Sequence, residues 1–331
     1  YQPVTVGTPR TAWGNRHPWP AFILRRLARL VTSLFLLITV AFAMIHAIPG
    51  DPVRTALGGI TAQPELVAAR RHDLGLDKPL AEQYVAYLGD TVTGDFGTSI
   101  ITGQPVSEII SDRLPNTLKL VGTAFVFTIV VAYPLGLGMA IFTQNGRHRR
   151  TEVGFAGVTG FVQAIPDFVL ATALVALFGV TWQLLPVAES SGPSAYVLPV
   201  LSLTLGSIAV LSRVIRLEAL RVLGEDYIRT ARSKRLPARI VYLRHALPNM
   251  LTASLTISGL FLAGLVAGTV LVENVFAWPG IGSTVVRSVI ARDYPIALTL
   301  SLLLAAITLT VNLIVDILLA IIDPRSVIKE H

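Results

Sequence analysis

Long runs of apolar residues alternate with shorter polar segments along most of the chain. A membrane-spanning helix needs about 20 consecutive, mostly apolar residues. Six segments meet this requirement, and they lie at residues 27–48, 118–142, 153–185, 196–215, 250–272 and 294–322. The pattern predicts an all-α polytopic membrane protein with six transmembrane helices.

The polar segments divide the chain further. We expect a tail at 1–20, a first transmembrane helix at 21–48, a cap at 49–113, a five-helix core at 114–322 that contains a polar loop at 217–247, and a tail at 323–331. The cap would begin with a turn at Pro49-Gly50-Asp51-Pro52, contain helices at 65–74 and 80–88, and include a further turn at 94–97.

Composition agrees with a membrane protein and limits its chemistry. The 331 residues are 53% hydrophobic and 14% charged, whereas a soluble domain is about 25% charged. There is no cysteine, and the six histidines are scattered without metal-ligand spacing. The glycine-rich segment 279–283 lacks the lysine of a phosphate loop. We therefore predict no catalytic residue, no metal site and no cofactor bound by this chain.

The distribution of basic residues predicts the orientation. Lys and Arg concentrate in the cytoplasmic loops of membrane proteins. If both termini are cytoplasmic, 19 of the 27 Lys and Arg lie in cytoplasmic segments and seven in outer segments, including the cap. Because the basic residues lie beside membrane spans and not on a polar domain, topology explains them, and we predict no nucleic-acid partner.

The loop between the fourth and fifth spans is the most informative polar segment. Nine Lys and Arg lie between residues 213 and 244, together with apolar side chains at Tyr227, Ile228, Ala231 and Leu236. We expect a helix to continue out of the span over 217–230, then a turn at 230–234 and a second helix from Pro237. An ordinary positive-inside loop is an alternative, but the length and the two-helix pattern favour a docking surface.

Ionisable residues inside the predicted spans are candidate functional residues. Asp167 follows Pro166 near the middle of the third span, where a carboxylate costs about 3 kcal/mol. It either lines a translocation path that attracts a cationic group, such as a peptide amino terminus, or makes a hydrogen bond that packs helices. Asn312 and Asp316 lie about one turn apart in the sixth span, where an interhelical polar contact is the favoured interpretation.

Motifs distributed along residues 22–325 point to a known family. They are FILRRL at 22–27, IPGDP at 48–52, LGLDKPL at 74–80, GDFG at 94–97, DYIRTAR at 226–232 with RHAL at 244–247, FAWPGIG at 276–282 and DYP at 293–295. In this order and spacing they resemble the inner-membrane permeases of bacterial ABC importers, in the oligopeptide/dipeptide branch. The resemblance implies a type I ABC importer permease fold with six transmembrane helices and a small extracytoplasmic cap after helix 1.

The same resemblance implies a role for the polar loop. The family signature is E-A-A-x3-G-x9-I-x-L-P, and its glycine slot holds Arg235 here, which puts in doubt a tight turn with φ > 0. The loop would form a coupling helix that binds a separate ATPase subunit. The residues expected to serve this coupling are Glu225, Asp226, Tyr227, Arg229, Thr230, Ala231, Arg235, Leu236, Leu247 and Pro248.

The resemblance also implies partners and a mechanism. The chain would be the permease subunit of an ATP-driven peptide importer in the bacterial cytoplasmic membrane, in contact with membrane lipid. A second homologous permease would form the other half of the pathway, two ATPase subunits would bind ATP and magnesium, and an extracytoplasmic peptide-binding protein would deliver the solute. Two alternatives stay open: a proton-coupled secondary transporter that uses Asp167 and Asp316, and an ABC permease for a nickel chelate, glutathione or haem.

Overall fold

The computed structural model describes residues 18–47, 53–54, 63–73, 75, 77–146, 148–187 and 192–322. The described residues are mainly helical, and Thr98 and Pro105 form an isolated β-bridge. The longer helices are α1 (Pro18–Ala47), α2 (Pro64–Asp73), α3 (Leu80–Thr93), α4 (Val106–Thr143), α5 (Arg149–Ala164), α6 (Asp167–Leu174), α7 (Val197–Leu223), α8 (Asp226–Ser233), α9 (Leu247–Val275), α10 (Ile281–Ala291) and α11 (Tyr294–Ile322).

The number of membrane spans agrees with the sequence. Within the described residues, α1, α4, α7, α9 and α11 are long and apolar enough to cross a membrane. α5 and α6 meet the same criterion only as a pair, because the chain bends by 93° between them. The described part of the chain therefore has five spans, or six if the bent pair counts as one, and the prediction of an all-α polytopic protein is confirmed.

The third predicted span is not a continuous helix. Ile165 is extended, with φ −84° and ψ 120°, and Pro166 is extended as well, with φ −60° and ψ 142°. Proline disfavours helical backbone in the residue before it and has no N–H to donate. The span expected over 153–185 is therefore broken, because Pro166 ends α5 and a new helix begins at Asp167.

The second span begins earlier than its apolar run indicates. α4 starts at Val106, so residues 106–113, which we expected in the cap, belong to the spanning helix. Glu108, Asp112 and Arg113 lie in these first turns. Polar residues of this kind hide the start of a long helix from a criterion based on apolar runs alone.

The segment between α1 and α4 contains the two helices expected there. α3 packs against α1, where the hydroxyls of Thr39 and Tyr84 are 2.8 Å apart and the ring centroids of Phe42 and Tyr84 are 5.2 Å apart. Gly94 ends α3 with φ 82°. The turn expected at 49–52 lies outside the described residues, so a cap that folds as one unit stays a prediction.

Two apolar clusters form the core of the bundle. The first joins α4, α7, α9, α10 and α11 and contains Leu120, Leu198, Leu203, Phe276 and Leu300. The second lies towards the C-terminal ends of α4 and α7 and contains Tyr133, Leu137, Leu211, Ile215 and Met250. Helices approach closely at Gly136, where an added β-carbon would lie 2.6 Å from the carbonyl oxygen of Ser212.

Candidate functional site

The loop after α7 lies at the end of the bundle that also holds Arg149 and Arg150 at the start of α5. We call this the basic end. α7 ends at Leu223, and Glu225 is extended with φ −70° and ψ 151°. The continuous helix expected over 217–230 is therefore wrong. Gly224 is a poor helix former, and the chain turns there before α8 begins.

α8 has one buried face and one polar face. Ile228 and Ala231 are buried in the second apolar cluster. The side chains of Asp226 and Arg229 are exposed and form an ion pair of 3.2 Å, and Thr230 is also exposed. α8 is therefore fixed to the bundle by apolar contacts and presents a polar surface outward.

Tyr227 lies at the edge of that outward surface. Its side chain is partly exposed. Burial raises the pKa of Tyr227, Glu225 raises the pKa further, and Arg221 opposes both effects. The hydroxyl therefore stays protonated at neutral pH and can donate a hydrogen bond to a partner.

The turn after α8 has the geometry that the family signature assigns to glycine. Arg235 has φ 54°, and the amide of Leu236 donates to the carbonyl oxygen of Ala231 at 3.3 Å. Leu236 is half-buried against the second cluster. The tight turn that Arg235 put in doubt is present, and the arginine itself takes the left-handed conformation.

The loop returns to the membrane through a distorted helix. Pro237 precedes a short turn, Ala238–Ile240, which continues as π-helix over Val241–Ala246 and leads into α9. Leu247 packs against the second cluster, and Pro248 lies in the first turn of α9. The ten predicted coupling residues are thus spread from α8 to the start of α9 at the basic end.

The candidate pathway residues lie at the break between α5 and α6. Asp167 is exposed, and its carboxylate lies against two glycines of neighbouring spans. A β-carbon added at Gly206 would be 3.6 Å from Oδ1, and one added at Gly268 would be 3.7 Å from Oδ2. Within the described residues Asp167 has no ion-pair partner.

Asp316 contacts α1. Its Oδ2 is 2.8 Å from Nη1 of Arg26, and the same guanidinium lies 5.3 Å from the centre of the Phe22 ring. Asn312, one turn earlier on α11, is half-buried. The contact joins α1 to α11, and it places Asp316 beside a positive charge.

Sequence reasoning did not single out Glu273, a fully buried residue near the end of α9. Thr117 donates its hydroxyl to Oε1 at 2.7 Å, and the amide of Ser283 donates to Oε2 at 3.1 Å. A β-carbon at Gly280 would lie 2.3 Å from Oε1. The glycine-rich loop therefore packs closely against a carboxylate of its own chain.

The loop around Trp278 is tied to α4 by further hydrogen bonds. The indole donates to the carbonyl oxygen of Asn116 at 3.3 Å, and the side-chain amide of Asn116 donates to the carbonyl oxygen of Pro279 at 3.0 Å. Nearby, the carboxylate of buried Asp293 accepts a hydrogen bond from the hydroxyl of Ser99 at 2.5 Å. These contacts fix the surface opposite to the basic end.

Across the part of the chain that the structure describes, no three His, Asp or Glu side chains gather closely enough to hold a metal ion. The functional candidates among the described residues are the surface of α8 and the broken span at Asp167.

Comparison with known proteins places these features in a family. Residues 132–327 match the family described as "Binding-protein-dependent transport system inner membrane component", and residues 20–121 match its N-terminal domain. A dipeptide transport system permease protein of Lactococcus lactis subsp. cremoris (strain MG1363) is 36% identical over 309 residues, which cover 92% of this chain and 98% of that protein.

Other relatives are similar to the same degree. A glutathione transport system permease protein of Salmonella choleraesuis (strain SC-B67) is 36% identical over 304 residues, covering 92% of this chain and 97% of that protein. Its counterpart in Escherichia coli (strain K12) is 34% identical over 304 residues, with the same coverage. The chain therefore belongs to the family of inner-membrane components of binding-protein-dependent transport systems, the permeases of ABC importers.

Proposed function

We propose that this permease is one subunit of an ATP-driven importer of short peptides and that it forms half of the translocation pathway. A second homologous permease supplies the other half. The relatives are named for a dipeptide and for glutathione, which share a free ammonium group and at least one carboxylate. ATP and magnesium are bound by two separate ATPase subunits, so this chain holds no cofactor.

The observation that carries the proposal is the two-faced helix α8. Ile228 and Ala231 are buried against the bundle, whereas Asp226, Arg229 and Thr230 face outward. A helix fixed in this way can pass a displacement to the membrane spans. In our proposal an ATPase binds the outward face, and Tyr227 contributes partly exposed apolar surface to the contact.

The distribution of charge supports the proposed orientation. Lys and Arg favour the cytoplasmic side, and the loop that contains α8 has nine of them between residues 213 and 244. We place the basic end and both termini in the cytoplasm. The opposite end, with Trp278 and the segment around Ser99, then faces outward and receives a peptide-binding protein.

Asp167 is the proposed polar contact inside the pathway. A carboxylate in a membrane span normally faces a cavity or a partner, and this one lies over the bare backbone of Gly206 and Gly268. Asp167 is exposed, so a substrate in the pathway could reach its carboxylate. We assign it a transient contact with the ammonium group of the peptide.

Purification from the native membrane at natural expression level tests the proposal. We expect two ATPase chains, one second permease and a peptide-binding protein to accompany this chain. The identity of the bound solute would then separate peptides from nickel chelates or haem. Recovery of the chain alone, with uptake driven by a proton gradient and indifferent to ATP, would contradict the proposal and favour a secondary transporter.

A further inference from the structure

α5 is held on the bundle by few buried side chains. Thr159 is its one buried residue within the described part of the chain, and Val153, Val158 and Phe161 are largely exposed. Polar contacts from α7 supplement this weak packing. Arg216 pairs with Glu152 in the first turn of α5, and Arg213 donates to Gln163 near its end.

Arg216 is the better buried of the two arginines, and it joins three helices. Its Nε and Nη2 atoms donate to the hydroxyl of Thr143, the last residue of α4, at 3.1 and 2.9 Å. Nη2 also donates to Oε1 of Glu152 at 2.8 Å. The Arg216 side chain is 11% exposed. A guanidinium fork makes both contacts at once, which the single ammonium of lysine does not reproduce.

The same region is connected to α8. Ile228 and Ala231 of α8 pack in one cluster with Leu211 and Ile215 of α7. Arg232 of α8 donates to the side chain of Gln144, directly after α4, at 3.2 Å. A displacement of α8 therefore acts on α7 and on the end of α4. Arg216 extends that connection to α5, which leads to the break before Asp167.

We propose that Arg216 is a positioning residue that makes α5 follow α7 when α8 is displaced, and thereby moves the break at Asp167. The inference rests on the proposed function, because it takes α8 as the surface that the ATPase moves. Without Arg216, α8 would still receive the displacement, but α5 would lag behind it. ATP hydrolysis would then continue while solute movement declines.

The test uses the complete importer reconstituted in lipid vesicles, with uptake and ATP hydrolysis measured on the same sample. In the Arg216→Lys variant we expect solute imported per ATP hydrolysed to fall about fivefold, within the range for residues that carry coupling. Glu152→Gln should cause a similar loss. The double variant should have a ratio no lower than that of the more impaired single variant, because both changes remove the same connection.

Arg221→Lys is the matched control. Arg221 lies on the same helix and contacts Glu218 at 3.0 Å, but its side chain is 61% exposed. We expect its transport-to-hydrolysis ratio to equal that of the original protein. If Arg216→Lys does not assemble, Thr143→Val removes only the hydroxyl that Arg216 contacts, and the ratio should again fall.

The outcomes separate the two proposals. An original complex without ATP-dependent uptake would overturn both. If the wild-type complex imports solute and the ratio of solute imported to ATP hydrolysed is unchanged in Arg216→Lys and Glu152→Gln, only the role of Arg216 is overturned. Equal losses in Arg216→Lys and Arg221→Lys would also overturn it, because a general effect of replacing an arginine on α7 would then explain both.

Discussion

Arg235 is an arginine in a position that favours glycine. Its φ of 54° costs a residue with a β-carbon about 1 kcal/mol. We expect Arg235→Gly to raise the free energy of unfolding by up to about 1 kcal/mol, because glycine relieves this strain although it adds entropy to the unfolded chain. Thermal unfolding of the purified protein in detergent measures the change.

Lys234→Gly is the control for that substitution. Lys234 is adjacent and exposed, but its φ is −75°, so glycine relieves no strain there. We expect Lys234→Gly to lower the midpoint temperature while Arg235→Gly raises it. A fall in both variants would show that the turn gains nothing from glycine.

Substitution of the buried residue Glu273 should have a larger effect on the free energy of unfolding. Glu273→Ala leaves the hydroxyl of Thr117 and the amide of Ser283 without their acceptor, and each unsatisfied buried group costs about 1–3 kcal/mol. We expect a loss of about 2–4 kcal/mol and a smaller loss for Glu273→Gln, which retains one acceptor oxygen. Glu82→Ala, at an exposed position of α3, should change stability by less than about 0.5 kcal/mol. Comparable melting temperatures for Glu273→Ala and Glu82→Ala would contradict this account.

At the scale of elements, α8 places neighbouring residues on opposite faces. Ile228→Ala opens a cavity in the second cluster and should destabilise this chain by about 2–4 kcal/mol. Tyr227→Ala should leave the chain stable, because Tyr227 is partly exposed, but weaken its retention of the ATPase subunits. Melting temperature and subunit ratio after gel filtration measure the two effects. If neither variant loses ATPase subunits, α8 is not the docking surface.

The spans could be predicted from the sequence because a membrane requires long apolar runs. Their interruptions were harder to predict. A proline such as Pro166 either kinks or ends a helix, and the apolar run continues across it without a change in composition. Gly224 likewise ends α7 within a segment whose other residues favour helix.

The contacts of Glu273 and Asp316 depend on tertiary structure. Thr117 is distant in sequence from Glu273, and Arg26 is still more distant from Asp316. A single sequence gives the charge of each residue and its place in a span, and these identified Asp316 as a polar contact. They did not identify Arg26 as its partner, and Glu273 gave one signal only, a charge close to a glycine-rich loop at the end of an apolar run.

At the scale of the whole molecule, orientation is open to direct measurement because the chain has no cysteine. A single cysteine introduced as Asp95→Cys lies beyond α3 on the proposed outer side, and one introduced as Arg229→Cys lies on α8. We expect a membrane-impermeant maleimide to label Asp95→Cys in intact cells in which the reagent reaches the outer face of the cytoplasmic membrane. Arg229→Cys should react only after the membrane is permeabilised. The reverse labelling pattern would show that the topology is opposite to the one proposed.

The central claim is that ATP hydrolysed by partner subunits drives import through this chain. The most direct measurement is uptake of a labelled dipeptide by vesicles that contain the purified complex, with ATP at the side of α8 and the binding protein at the other. The account predicts uptake that requires ATP and persists when the proton gradient is collapsed. Uptake that continues without ATP and stops when the proton gradient is collapsed would contradict it.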